Sequence, residues 1–132
     1  MTNNDPLAQL LVSESQAVNR QDLAEILLEY VTINKETKSF DFSGNFIKLP
    51  NSDKILILLC AVKARSLILS NVEDRIAPSE IIRLEIAPEG SVKATLKNLF
   101  DSGQIKSDKK KYYLPNYKLQ QIVARFRNLK NK

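Results

Sequence analysis

Histidine is missing from all 132 residues of this chain, which removes the commonest general base and the commonest side-chain metal ligand. Cysteine is nearly missing as well. The single Cys60 stands in the apolar run ILILLCAV, so neither an internal disulfide nor a cysteine metal site can form, and a small buried hydrophobe is the expected role. Only three glycines occur, at positions 44, 90 and 103. All three read as turn residues, and none belongs to a phosphate-cradling loop or a serine elbow. The carboxylates Glu80, Glu85 and Glu89 have no inferable pocket around them. Together these absences point away from an enzyme, and no cofactor or metal is expected. No apolar run approaches the roughly 20 residues that a bilayer-crossing helix needs. The N-terminus MTNNDPLAQL also lacks the basic flank and apolar stretch of a secretory signal. The expectation is a cytoplasmic protein with no membrane partner.

What the chain does contain is enough apolar material, 43% of its residues, for one compact core with a short extension. Its charge is unevenly spread. Residues 1–50 carry four Lys/Arg against seven Asp/Glu, residues 51–90 five against six, and residues 91–132 eleven against two. The surplus of nine positive charges in the last segment is the electrostatic footprint of a polyanion-binding protein. The plainer alternative is a Lys-rich surface that is merely solvated.

Periodicity and turn chemistry divide the chain further. Residues 1–12 read as a mobile arm. Residues 21–33 place Leu23, Ile26, Leu27, Tyr30 and Val31 on one face of a helix. The pieces SFDF and NFIKL, on either side of Ser43-Gly44, suggest a hairpin with a tight glycine turn. Pro50 ends it, and Asn51, Ser52 and Asp53 offer N-caps for a helix reaching about Leu69. That helix is apolar all round from Ile55 to Val62, so it needs cover on several sides. A homodimer through the N-terminal half is the expected way to supply the cover, with a monomer wrapped by residues 20–50 as the alternative.

Downstream of a polar link at residues 70–77, Ile81, Ile82, Leu84 and Ile86 form the buried side of a short helix. Ala87-Pro88-Glu89-Gly90 should end it, because proline disfavours helical geometry before it and glycine tolerates positive φ. The next helix, residues 91–102, turns Val92, Leu96, Leu99 and Phe100 to the core. Two strands at residues 104–107 and 112–114 follow, joined by Asp108-Lys109-Lys110-Lys111. Adjacent Tyr112 and Tyr113 should face opposite sides of the second strand. Finally, residues 116–129 form an amphipathic helix with Leu119, Ile122, Val123, Phe126 and Leu129 on one stripe, which either packs on the domain or pairs with a second copy.

The run GSVKATLKNLFDSGQI followed by KKKYYLP resembles the winged helix-turn-helix superfamily of DNA-binding proteins, over residues of about 53–114. The resemblance implies a mainly α fold with small β elements: a winged helix-turn-helix domain at 51–132, preceded at 1–50 by an arm, a helix and a hairpin. It also implies that residues 91–98 enter a major groove, with Ser91, Lys93, Ala94, Lys97 and Asn98 as contacts. The chemistry of these side chains agrees: asparagine can read adenine, lysine can reach guanine acceptors, and an alanine methyl can touch that of thymine. No arginine lies on this helix, however, and Asp101 places a negative charge near its end. Three adjacent lysines, Lys109, Lys110 and Lys111, repel one another on a turn unless an anion is close, and a phosphate backbone is such an anion. The expected function is therefore binding of double-stranded DNA by a transcriptional regulator or architectural factor. The alternative is a winged helix used as a protein-interaction module in a larger assembly.

Overall fold

A computed structural model describes residues 5–11 and 18–130. The chain is mainly helical, with two small antiparallel hairpins. Pro6–Leu10 forms a short 3-10 helix capped by the Asp5 carboxylate, and none of its residues is buried. Residues 1–4 and 12 of the arm expected at 1–12 lie outside the described residues.

Helix α1 (Arg20–Leu27) starts at Asn19, whose side chain accepts from the Asp22 N–H, and it buries Leu23, Ile26 and Leu27. It stops earlier than periodicity suggests. Tyr30 and Val31 continue the apolar spacing, but Val31–Ile33 is a strand, β1, paired antiparallel with β2 (Phe40–Phe42). The β-branched Val-Thr-Ile triplet suits a pleated surface better than a helix end. In the connecting loop the Asn34 side chain accepts the backbone N–H groups of Glu36 and Thr37, both at 2.9 Å.

The hairpin thus closes before Ser43-Gly44 rather than across it. Ser43 is an N-cap: its Oγ accepts from Phe46 N–H at 3.3 Å and donates to the Glu29 carbonyl at 2.7 Å. The segment expected as a second strand is therefore a one-turn helix, α2 (Gly44–Ile47). Serine serves both roles in a sequence, and its backbone hydrogen bonds decided this one. Phe46 is buried and stacks on Phe42 with 4.3 Å between ring centroids.

Helix α3 (Asn51–Ile68) is the axis of the molecule, with every residue from Ile55 to Val62 buried. Helix α1, helix α5 (Glu89–Asp101) and strand β4 (Lys111–Tyr113) pack around it. Helix α6 (Asn116–Lys130) packs on α1 and buries Leu119, Ile122, Val123 and Phe126, while Leu129 stays exposed. The cover that α3 requires, and the partner face that α6 requires, both come from within one chain. One continuous buried cluster joins residues of both halves.

Helix α4 (Pro78–Arg83) is shorter than expected, because Glu85 takes a left-handed φ of 56° and breaks it before Ala87-Pro88. Gly90 is not the turn residue between the helices. It sits in the first turn of α5, which begins at Glu89 behind Pro88, and Gly44 likewise opens α2. Of the three glycines only Gly103 has a positive φ, 77°, terminating α5 where a side chain would be strained. Phe100 is the misplaced member of the α5 stripe: it is 47% exposed and meets Tyr112 edge-on at 6.2 Å. Among the described residues no helix is long and apolar enough to cross a membrane.

Candidate nucleic-acid interface

Helix α5 turns Val92, Leu96 and Leu99 inward, which leaves Lys93, Ala94, Lys97 and Asn98 exposed and Ser91 half-buried on the remaining surface. The five residues expected from the sequence thus lie on one element, clear of the core. Their charges are not unopposed. Lys93 lies 3.8 Å from Glu89, and Lys97 donates to Asp101 at 2.8 Å. The hydrogen bond and charge of Asp101 hold the Lys97 ammonium above its ordinary value. Glu89 also occupies the first turn of the helix, where its carboxylate takes the position favourable to a phosphate. Such exposed pairs hold a cation weakly and exchange readily for another anion.

The second element is the hairpin of β3 (Lys106–Asp108) and β4, in the register Lys106↔Tyr113, Ser107↔Tyr112 and Asp108↔Lys111. Only two residues, Lys109 and Lys110, connect the strands. Both adopt left-handed φ values, 52° and 65°. A two-residue connection of this kind ordinarily takes Asn-Gly, because it needs positive φ at both positions. Here two lysines occupy it, exposed to solvent and with no partner among the described residues.

Lys111 behaves differently. It is the first residue of β4, and its Nζ donates to both carboxylate oxygens of Glu73, at 3.0 and 2.8 Å. The four-residue tip with three free lysines is therefore corrected to a two-residue tip with two. The base of the hairpin is clasped as well: Arg75 pairs with Asp108 at 2.6 Å and with Asp74 at 2.9 Å, and Lys63 reaches Asp74 at 3.6 Å. Burial alone raises the Asp74 carboxyl. The hydrogen bond and charge of Arg75, followed by those of Lys63, outweigh burial and leave it below the ordinary carboxylate range. Arg75 also lies over the Tyr113 ring at 4.5 Å, so Tyr113 is half-buried under a guanidinium rather than exposed, and Tyr112 packs partly against the core.

The C-terminal helix uses its arginines internally. Arg125 donates to Asp53 at 2.7 Å, and Arg127 bridges Asp22 and Glu25 of α1. Neither set of partners announces itself in sequence, since Arg127 and Asp22 are 105 positions apart. The acidic residues Glu73 and Asp74, absent from the expected site, carried no signal beyond lying in a polar link. Among the described residues there is no cluster of His, Cys, Asp or Glu fit for a metal ion. No family model, no curated protein and no solved structure matches this chain.

Proposed function

We propose that this chain is a winged helix-turn-helix protein that binds double-stranded DNA, with α5 in the major groove and the Lys109-Lys110 tip against the phosphate backbone. The order α3, α4, α5, β3, β4 supports the reading. So does Ile76, which exchanges two backbone hydrogen bonds with Tyr112, at 3.0 and 2.9 Å, as a third short strand beside the hairpin would. The observation that carries the function is the tip itself. Two lysines sit at adjacent positions where their backbone is strained and their charges repel, with no acid among the described residues paired to offset the charge. Strain kept at a surface position suits a binding role better than a packing role.

On this reading the phosphate contacts fix position, and Ala94 and Asn98, the exposed α5 residues without charge, touch base edges. The reading helix offers no arginine and holds both its lysines beside acids, so sequence preference is modest. Fluorescence anisotropy of a labelled duplex against salt concentration tests the proposal: log affinity should fall linearly with log salt. Selection from random duplexes tests the reading face, where Asn98→Ala should change the preferred bases while nonspecific affinity survives. Absence of duplex binding at low salt would reject the proposal in favour of a module that docks an acidic protein. An unchanged preference would reject α5 as the reading helix.

A further inference from the structure

A cleft of about 500 Å³ opens where the β1–β2 loop, the C-terminal half of α3, the link before α4, α4 itself and β4 meet. Five cations from these separate elements line it: Lys38, Arg65, Arg75, Arg83 and Lys111. Two of them are matched, Arg75 by Asp74 and Asp108 and Lys111 by Glu73. Among the described residues the other three face no carboxylate at ion-pair distance, and their hydrogen bonds go to backbone carbonyls. Lys38 Nζ donates to Ser70 O at 3.1 Å, Arg65 to Lys38 O at 2.7 Å, and Arg83 to Ser79 O at a marginal 3.4 Å. Glu80, the remaining acid on the lining, acts on Arg65 through its charge without reaching ion-pair distance, and the five cations still leave the cleft a surplus of positive charge.

Arg65 is the most informative of the three. Its guanidinium lies over the Phe40 ring at 4.3 Å, which holds its donor fork in place. Its Nε is buried and has no hydrogen-bond partner. The loop supports the same spot: Lys38 adopts a left-handed φ of 65°, and that residue both accepts from Arg65 and lines the cleft with its own ammonium. Beside the cations, Phe40, Val72, Ile76 and Leu84 give the cleft an apolar wall. Its volume falls in the range of sites for small organic ligands.

We propose that this cleft binds a small organic phosphate, with Arg65, Arg83 and Lys38 on the phosphate group and the organic part against Val72 and Leu84. A planar guanidinium fork matches phosphate oxygens better than an ammonium alone. The surplus cations select an anion, and the apolar wall selects one that carries carbon. Because Glu73 and Lys111 share the rim with the wing hairpin, a bound phosphate competes with Glu73 for Lys111. The site itself does not rest on the DNA-binding reading.

Isothermal titration of the full chain with adenosine 5′-monophosphate, glycerol 3-phosphate and inorganic pyrophosphate, at matched ionic strength, tests this. At least one phosphate ester should bind one to one at or below millimolar concentration, with adenosine and glycerol silent. Arg83→Ala, at an exposed position that leaves the core untouched, should weaken binding about tenfold, as removal of one charge-assisted hydrogen bond does. Lys109→Ala with Lys110→Ala should leave it unchanged. Failure of all three probes overturns the proposal. So does equal weakening by the Arg83 and tip variants, which would mean diffuse attraction to a basic surface. Loss of duplex binding in the Arg83 variant with ester binding intact would also overturn it, assigning these cations to a DNA backbone instead.

Discussion

The tip of the β3–β4 hairpin and the C-terminal helix belong to the same strongly basic third of the chain, yet the structure treats their charges in opposite ways. In α6, Arg125 and Arg127 are drawn onto acids of α3 and α1, so they clamp the last helix to the core. At the tip, Lys109 and Lys110 face solvent with no acid beside them among the described residues, and Lys111, one residue on, is held by Glu73. The lesson is that net charge by segment overstates the charge on offer to a partner. A cation already bonded to a carboxylate brings little new attraction to a polyanion, whereas an unpaired one at a protruding turn brings nearly all of its own. On the proposed reading, the surface offered to DNA is therefore narrower than the composition of residues 91–132 suggests, and its weight rests on two residues.

Reversing those two charges is the strongest way to break the contrast. In Lys109→Glu with Lys110→Glu, duplex affinity should fall about tenfold or more, and the slope of log affinity against log salt should shrink by roughly 0.9 for each phosphate that is no longer neutralised. Anisotropy titrations at several salt concentrations measure both. A double variant that keeps the parent's slope would show that the tip touches no phosphate.

A gentler change separates function from folding. Lys109→Asn with Lys110→Gly installs the pair that a two-residue hairpin favours, relieving the left-handed strain at both positions as it removes the charge. Stability should rise by about 1 kcal/mol, while duplex affinity drops by less than in the reversed variant. Urea denaturation and anisotropy together decide the matter. A variant that lost stability would mean that the lysines hold the turn by interactions not apparent in its geometry.

The opposite sign belongs to α6. Arg125→Gln removes a partner of Asp53 and should destabilise the chain by about 0.5 kcal/mol, leaving duplex affinity within about twofold. Cys60 supplies the readout. It is wholly buried, and burial pushes its thiol up to about 12 against a smaller opposing pull from Arg125. In the folded chain it should therefore be inert to alkylation at about pH 8, and modification should report unfolding. The Arg125→Gln chain should be alkylated faster than the parent in proportion to its lost stability. A large drop in duplex affinity instead would place α6 in the interface.

These contrasts also show what a linear reading reaches and where it stops. The apolar run Ile55 to Val62 and the Val92, Leu96, Leu99 spacing told of a buried axis and a helix lying on it, and both are present. Those elements are set by their own periodicity. Val31 and Phe100 went astray because periodicity continued past the point where another force took over. Val31 pairs with Phe42 across a loop, and Phe100 leaves the core to meet Tyr112. Ser43 was ambiguous by chemistry, since a serine before a glycine suits a turn and a helix start equally. The exposed face of α5 was legible for the same reason as its buried one, being its complement. The clasp at the base of the β3–β4 hairpin was not, because pairs such as Arg75 with Asp108 and Lys111 with Glu73 exist only after the fold brings distant positions together.

That clasp offers the subtlest test, since it holds the hairpin without belonging to the tip. The Asp74 carboxyl sits below its ordinary value because the hydrogen bond and charge of Arg75, with Lys63 behind them, outweigh the effect of burial. A carboxyl depressed in the folded chain stabilises it at pH values above the unfolded value of about 3.9. The contribution then fades as pH falls below that value toward the lower folded one. Asp74→Asn should therefore be slightly less stable than the parent at neutral pH, with the gap in Tm closing in strong acid. Thermal melts from neutral pH down to below about pH 3 follow that gap, and one that stays constant would mean that the ion pair contributes nothing. Duplex affinity at neutral pH should change less than in any tip variant, because the clasp sets how firmly the hairpin is held and the two lysines set what it meets.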